Sequence, residues 1–246
     1  MNRDKTFRVD SASAWIRLSV VLLMSVVVGV GMWSIVVILP AVQVDLGLSR
    51  SQASLPYVFT MIGYGFGGIV FGRFSDKYGI YKAVLVGIML ISLGYFVASF
   101  ATGVGLLCLS QGLLIGIGTS TTFAPLIAHV SHWFDRRKGA AVGIIASGQY
   151  LSGAIWPTIL ESGVQDFGWQ QTYWFVGFIV LVLALPLSLV LRKVPATDKS
   201  LISVVADLDQ KGSSFSPTWL IMLLMVSVFC CCIAMSMPQV HMVAFC

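Results

Sequence analysis

Charged residues are scarce in this sequence of 246 residues. Asp, Glu, Lys and Arg make up 10% of it, whereas 57% of the residues are hydrophobic. Soluble domains carry about 25% charged residues, so a soluble globular domain is excluded. Four stretches hold no charged residue at all, namely 18–44, 83–134, 139–160 and 212–246. Since ionisable side chains inside a bilayer mark ion and proton paths, these stretches offer no charged relay.

Cysteine is scarce as well, and its placement argues against a disulfide framework. All five cysteines lie in or at the end of apolar runs: Cys108, Cys230, Cys231, Cys232 and Cys246. Three of them are consecutive and would point in three directions from a helix, which suits neither disulfide pairing nor a metal site. No serine has a plausible base on a neighbouring helical stripe either. We therefore predict no catalytic residue, no metal and no cofactor.

Long apolar runs account for most of the sequence. The seven runs are 15–40, 54–72, 83–102, 104–131, 139–160, 170–191 and 217–242. Each reaches the roughly 20 residues that a helix needs to cross about 30 Å of hydrocarbon. The first run is too long for the core of a signal peptide. The sequence therefore predicts an all-α integral membrane protein with seven spans.

Glycines are concentrated in three of these runs, at four-residue spacing. The pairs are Gly63 and Gly67, Gly68 and Gly72, Gly112 and Gly116, and Gly139 and Gly143. Small residues at this spacing let membrane helices approach closely. The pattern predicts that the second, fourth and fifth spans are interior and that the glycine-poor sixth span faces lipid.

Lys and Arg are distributed asymmetrically between the two sides of the membrane. Of the 15 such residues, all except Arg50 lie on the amino-terminal tail or on every second predicted loop. Cations are retained on the cytoplasmic side, so the amino terminus is predicted to be cytoplasmic and the loops near residues 46 and 165 external. The net charge of +5 then reflects membrane topology, and nucleic acid is not an expected partner.

One polar segment of some size interrupts the apolar runs, at residues 193–216. Within it, Leu201, Val204, Val205 and Leu208 recur at the spacing i, i+3, i+4, i+7. That spacing is typical of an amphipathic helix. We expect a short helix lying on the cytoplasmic surface.

A charged segment between the second and third spans, residues 72–79, carries a specific motif. Its sequence is Gly-Arg-Phe-Ser-Asp-Lys-Tyr-Gly. It resembles the signature loop of the major facilitator superfamily, Gly-x-x-x-Asp-(Arg/Lys)-x-Gly-(Arg/Lys)-(Arg/Lys). The residues expected to form this gating loop are Gly72, Arg73, Asp76, Lys77 and Gly79.

The segment also departs from that motif. Ile80 and Tyr81 stand where the family prefers two basic residues, and Lys82 is the next cation. An ordinary helix cap with cytoplasmic anchoring cations would explain the same residues. This alternative stays open for the segment taken alone.

A second charged segment precedes the fifth span, at residues 132–143. It reads His-Trp-Phe-Asp-Arg-Arg-Lys-Gly-Ala-Ala-Val-Gly. It resembles the aromatic-Phe-x-basic-basic-basic-x-x-Ala-x-Gly motif before the fifth helix of monocarboxylate porters and oxalate–formate antiporters. The residues that carry this resemblance are Arg136, Arg137, Lys138, Gly139 and Gly143. Both motifs lie on the predicted cytoplasmic side. Together they make the sequence resemble this branch of the superfamily.

The resemblance implies a domain organisation. Residues 1–192 would be an amino-terminal six-helix bundle, residues 193–216 the cytoplasmic linker, and residues 217–246 the first helix of a second bundle. Because the family has two bundles, the sequence is expected to be a truncated transporter. Such a fragment would insert in the membrane without transporting, and would be prone to pair with copies of itself.

The resemblance also implies a function, namely secondary active transport by alternating access in the cell membrane. The expected substrate is a small organic mono- or dicarboxylate, moved with or without protons. Asp76 would latch the two bundles together on the cytoplasmic side. Polar residues near the centre of the spans are expected to line the cavity: Trp33, Gln111, Thr122, Gln149 and Tyr150. Hydrogen bonding between helices is the alternative role for each of them.

Two other functions stay open. A seven-helix receptor would need an external amino terminus, whereas the distribution of cations predicts a cytoplasmic one. The last span also lacks a lysine for a retinal linkage. A non-transporting partner of an intact transporter is the second alternative, and the sequence does not decide against it.

Overall fold

A computed structural model describes residues 10–192, Trp219, 222–227 and Cys230 of the chain. The chain forms two compact units, Met1–Pro195 and Ala196–Cys246. The predicted amphipathic helix lies outside the described residues, as does most of the predicted seventh span. In the second unit, residues 222–227 are helical.

The first unit is built from six helical stretches, here α1 to α6. They are Ala12–Asp45, Arg50–Tyr78, Ile80–Ser99, Val104–Ser131, Lys138–Phe167 and Trp169–Arg192. Among the described residues there is no strand. All except α5 are long and apolar enough to cross a membrane. The helix α5 has 30 residues, but its serines, glycines and Gln149 lower its mean hydropathy.

Local sequence signals explain where these helices begin and end. Before α2, Ser49 and Gln52 form a reciprocal cap, in which the Ser49 backbone N–H donates to the Gln52 side chain at 3.1 Å and the Gln52 N–H donates to Ser49 Oγ. This pattern satisfies two backbone donors that a helix start otherwise leaves unpaired. Gly79 and Gly168 end α2 and α5 with φ angles of 87° and 81°, in the left-handed region where glycine is favoured.

The segment predicted as a loop at residues 72–79 differs in the structure. The helix α2 continues to Tyr78, and α3 begins at Ile80. Gly79 alone therefore makes the turn. Its positive φ reverses the chain within one residue, so the charged residues occupy the last two turns of α2.

The helix α4 is irregular along its length. A π-helical stretch covers Ser110–Gly116 and a 3₁₀ turn covers Ser120–Thr122. From Thr119 to Thr122, each hydroxyl donates to a backbone carbonyl three or four residues earlier, at 2.7 to 2.8 Å. Such back-bonding bends helices, and π-helical turns occur mostly as single bulges within α-helices, frequently at functional sites.

The core of this unit lies around α1 and α4, and the helices α2 and α4 form its most extensive pair. The most apolar part of α1 is 67% buried, compared with 28% for α2. Within this unit, the second span is therefore packed on one face and open on the other. One of its two glycine faces packs on α4, whereas Gly65, Gly68 and Gly72 have no atom within 4 Å of an added Cβ.

Contacts at the helix ends show which ends lie together. At one end, Arg17 donates to the Val190 carbonyl at 3.0 Å, and the Arg192 guanidinium lies 5.5 Å from the Tyr81 ring. At the other end, Trp169 donates to Asp45 at 2.9 Å. The start of α1, the start of α3 and the end of α6 therefore share one face of the bundle, which carries these arginines.

Candidate functional site

The first helix is interrupted at its centre, at Gly29. One α-helical segment ends at Val28 and the next begins at Val30, while Gly29 between them keeps helical dihedral angles (φ −59°, ψ −16°). The Gly29 N–H donates to the Ser25 carbonyl at 2.9 Å, and the Met32 N–H donates to the Gly29 carbonyl at 3.1 Å. The second bond spans three residues and therefore tightens the turn. The interruption lies midway along α1, where the bilayer centre is expected.

The fifth helix packs directly against this interruption. A Cβ at position 29 would lie 2.5 Å from Gln149 Oε1 and 2.6 Å from Ser152 Oγ. Real Cβ atoms do not approach so closely. Glycine at position 29 is therefore required for the contact between α1 and α5.

Two polar side chains of α5 are buried at this contact without a hydrogen-bond partner among the described residues. They are Gln149, at both Nε2 and Oε1, and Ser152, at Oγ. Gln149 is 8% exposed and Ser152 is fully buried. A buried polar group without a partner costs about 1–3 kcal/mol, so native proteins rarely keep two together. Their position beside an interrupted helix makes this cluster the strongest candidate for a ligand site.

One further predicted residue, Trp33, lies beside the cluster. The Trp33 Nε1–H donates to the Gln149 backbone carbonyl at 3.1 Å. Gly153 approaches the Trp33 ring so closely that a Cβ there would be 2.6 Å from two ring carbons. Tyr150 is 56% exposed. The structure therefore brings together Trp33 and Gln149 from different helices, whereas Tyr150 only follows Gln149 in sequence.

The other two predicted residues lie elsewhere and are satisfied by the protein. Gln111 is fully buried, and its Nε2 donates to the Tyr173 hydroxyl at 2.7 Å. The Thr60 hydroxyl lies 3.3 Å from Gln111 Oε1 and donates to the Pro56 carbonyl at 2.8 Å. Thr122 is buried and donates to the Thr119 carbonyl.

The structure also shows a polar connection that sequence reasoning missed. The Tyr95 hydroxyl donates to Ser34 Oγ at 2.8 Å, and the Tyr95 and Tyr173 rings meet edge to face at 5.1 Å. Together with the hydrogen bond between Gln111 and Tyr173, these contacts connect α1, α3, α4 and α6. A signal was present, because a buried tyrosine hydroxyl usually requires a partner, and both tyrosines lie within apolar runs.

The residues of the first charged motif lie at the surface of the unit. Arg73, Asp76, Lys77 and Gly79 are exposed, and the Lys77 ammonium lies 5.3 Å from the Tyr78 ring. Asp76 has no ion-pair partner among the described residues.

The second charged motif is attached to the start of the first helix. The Arg136 N–H donates to Asp10 Oδ2 at 3.0 Å, and the Asp10 N–H donates to the Trp133 carbonyl at 3.2 Å. Asp10 adopts a positive φ of 58° to make both bonds. Arg137 is the N-cap of α5. Sequence reasoning gave Asp10 no role, since its partners are more than 120 residues away.

The second motif also supplies the first turns of α5. Lys138 is the first helical residue. A Cβ added at Gly139 or Gly143 would meet no atom within 4 Å. This face of α5 is therefore open in the unit.

Comparison with known families decides what this helical unit is. A family model described as Major Facilitator Superfamily matches residues 21–245. The chain belongs to the major facilitator superfamily. The match covers both charged motifs and the interruption at Gly29. It confirms the family predicted from the motifs and an all-α, multi-pass membrane fold.

Curated relatives of this superfamily chain include transporters from fungi and mammals. It is 37% identical over 120 residues to the MFS-type transporter pytF of Aspergillus terreus, a match that covers 49% of this chain and 40% of the relative. It is 38% identical over 125 residues to monocarboxylate transporter 13 of Bos taurus, covering 51% and 28%. It is 31% identical over 144 residues to the Fujikurins efflux protein of Gibberella fujikuroi, covering 58% and 31%. The matched region therefore spans less than half the length of each of these relatives.

Proposed function

We propose that this major facilitator chain serves secondary active transport of a small organic carboxylic acid by alternating access. Two relatives named monocarboxylate transporters, 13 and 12, match half of the chain at 38% and 34% identity, which supports this substrate class. In the proposed organisation, residues 1–192 are the amino-terminal bundle, residues 193–216 the linker, and residues 217–246 the first helix of the second bundle.

The observation that carries the proposal is the unpartnered pair Gln149 and Ser152 beside the interruption at Gly29. In secondary transporters, interrupted helices near the bilayer centre form the substrate site. A carboxamide offers both donors and an acceptor. A protonated carboxyl group offers one of each and therefore pairs with it in two parallel hydrogen bonds. Trp33 and Tyr150 would border the same site.

The protonation state of the acid is inferred from the distribution of charged side chains. The centres of α1, α3, α4 and α5 contain no Lys or Arg, so this bundle offers no cation to a carboxylate at that depth. A neutral acid loses less hydration free energy there than an anion does. We therefore propose that this bundle receives the protonated acid, which couples the movement of the substrate to that of a proton.

The two charged motifs would control access to the site. Asp76 is exposed and without an ion pair in the described unit, which fits the latch on the cytoplasmic side implied by the family motif. Replacement of Asp76 by Asn is then expected to lower the maximal rate and to leave the equilibrium affinity for the acid unchanged, because Asp76 lies in the last turn of α2 and Gln149 near the middle of α5.

The proposal is tested by acid binding and by counterflow. Purified chain in lipid nanodiscs should bind radiolabelled lactate, formate or oxalate in a saturable manner, and more tightly at pH 5 than at pH 8. Gln149→Leu should weaken binding at least tenfold, because it removes both hydrogen bonds. Gln165→Leu is the matched control, since Gln165 is an exposed glutamine of the same helix.

Counterflow tests the transport step itself. Because alternating access needs two bundles, the 246-residue chain alone is expected to bind the acid without exchanging it. In a protein completed by a second bundle, proteoliposomes loaded with unlabelled acid should accumulate the labelled acid, and Gln149→Leu should reduce this exchange. Absence of both binding and exchange would contradict the proposal. Binding that is unaffected by Gln149→Leu would place the acid elsewhere in the protein.

A second candidate function is efflux of a larger organic product. Two relatives at 31% and 33% identity are named efflux proteins. Competition separates the two candidates, because an efflux substrate would displace the labelled acid only if it shared the Gln149 site. The proposed location for either function is the cell membrane, with a cytoplasmic amino terminus.

A further inference from the structure

A groove of about 420 Å³ lies where the start of α1 meets the end of α6. Its lining residues are Ser13, Ile16, Arg17, Val20, Leu189 and Val190. None of them belongs to the Gln149 cluster or to either charged motif. Its volume falls within the range of about 300–1,000 Å³ that is usual for small-molecule sites.

The walls of this groove are apolar and open to the surroundings. The four lining residues of α1 are spaced at i, i+3, i+4 and i+7 and therefore share one helical face. Ile16 is 66% exposed and Leu189 is 51% exposed. These side chains would contact acyl chains, because the groove lies on the outer side of two adjacent membrane helices.

One fixed positive charge lies in the groove. Arg17 donates from Nη1 to the Val190 carbonyl at 3.0 Å, and its guanidinium lies 4.3 Å from the Trp133 ring. These contacts hold the side chain in position. Arg17 is also the last charged residue before the uncharged stretch 18–44, which places it at the boundary between lipid headgroups and hydrocarbon.

We propose that this groove binds one anionic phospholipid. The phosphate would contact Arg17 and the Ser13 hydroxyl, and one acyl chain would lie along Ile16, Val20 and Leu189. Arginine suits phosphate because its planar fork of N–H donors matches the phosphate oxygens. Basic pockets between membrane helices on the cytoplasmic side are typical sites for anionic headgroups.

Charge complementarity favours this occupant over an apolar one. Arg192 lies at the same end of the bundle, beside Tyr81, and the alternation of spans places the two basic motifs there too. A surface with this excess of Lys and Arg attracts anionic lipids. The proposal is independent of carboxylic acid transport, because no groove residue contacts the candidate substrate site.

The test measures the thermal stability of the detergent-solubilised chain as phospholipid is added. Phosphatidylglycerol should raise the melting temperature by several degrees more than phosphatidylcholine does. Arg17→Gln should remove most of that difference. Arg192→Gln is the matched control, because this arginine lies at the same end without lining the groove, and it should retain the difference.

A second variant keeps the test decisive if Arg17→Gln fails to fold. Val20→Trp fills the groove and leaves Arg17 in place, so it should abolish retention of phosphatidylglycerol in native mass spectrometry. Equal effects of the two lipids on the wild type, or retention by Val20→Trp, would overturn the proposal. An equal effect of inorganic phosphate would overturn it too, since that result needs no acyl chain.

Another occupant of the groove would also be detected. Ile16→Cys, in a background without the native cysteines, should react with a lipid-soluble maleimide and should not cross-link between copies. Efficient cross-linking would show that a second copy of the chain covers the groove, and would contradict lipid binding.

Discussion

Two glutamines show how partners decide the role of a side chain at the residue scale. Gln111 and Gln149 are both buried in membrane helices. Gln111 donates to Tyr173 at 2.7 Å and contributes to the packing of α4 and α6, whereas the Gln149 amide has no partner among the described residues. A satisfied amide stabilises the fold, and an unsatisfied one is available to a ligand.

Replacement of Gln111 by Leu should therefore destabilise the bundle. It leaves the Tyr173 hydroxyl buried without this partner, at a cost of about 1–2 kcal/mol. Unfolding by sodium dodecyl sulfate, followed by circular dichroism, measures the change. Gln171→Leu is the control, because Gln171 is exposed, and a loss of equal size there would contradict a specific role for Gln111.

At the element scale, the second helix has two different glycine faces. Gly63 approaches the Gly112 carbonyl of α4 so closely that an added Cβ would overlap it, and Gly67 lies against Ile117 and Ser120. Gly65 has open space around it. The spacing of glycines along a helix therefore indicates close packing, but it does not reveal which face has a neighbour.

Gly63→Ala and Gly65→Ala form a matched pair on this helix. The first should destabilise the unit by about 1–3 kcal/mol, because the added methyl group forces α2 away from α4. The second should be neutral or stabilising by up to about 1 kcal/mol, since alanine favours a helix more than glycine does. Melting temperatures of the two variants in one detergent measure the difference. Equal losses in both would contradict the close packing of Gly63 on α4.

The turn between α2 and α3 gives a second comparison at this scale. Gly79 has a φ of 87° and a ψ of 152°, a region that costs other residues about 1–3 kcal/mol, so Gly79→Ala should lower stability by that amount. Gly72→Ala should not, because Gly72 is helical and has open space around it. Chemical denaturation of both variants measures the difference. A smaller effect at Gly79 than at Gly72 would refute a turn built on this glycine.

At the scale of the whole molecule, contacts and charges agree on the two faces of the bundle. Arg17 meets Val190 at one face, and Trp169 meets Asp45 at the other. The first face carries the basic residues of both motifs, and the asymmetry of Lys and Arg predicts that it is cytoplasmic.

Cysteine labelling in intact cells tests this orientation. Single cysteines at Gly47 and Gln165, in a background without the native cysteines, should react with an impermeant maleimide. A cysteine at Ser75 should react only after the cells are permeabilised. Labelling of Ser75 but not of Gly47 in intact cells would reverse the predicted topology.

The sequence by itself determined the class and family of this protein. Long uncharged runs predict membrane-spanning helices, because a helix satisfies every backbone hydrogen-bonding group within the bilayer. The motifs at 72–79 and 132–143 indicated the superfamily that the family model matches. Both signals are local, so they are readable without knowing which helices touch.

Only the tertiary structure decided which polar residues share a site. Trp33 and Gln149 are 116 residues apart in sequence and meet because Gly29 lets α1 and α5 approach. Gln111 was predicted beside them and instead donates to Tyr173, 62 residues away. A glutamine in an apolar run needs a partner or a ligand, and its neighbours on other helices, which periodicity does not reveal, decide which of the two it has.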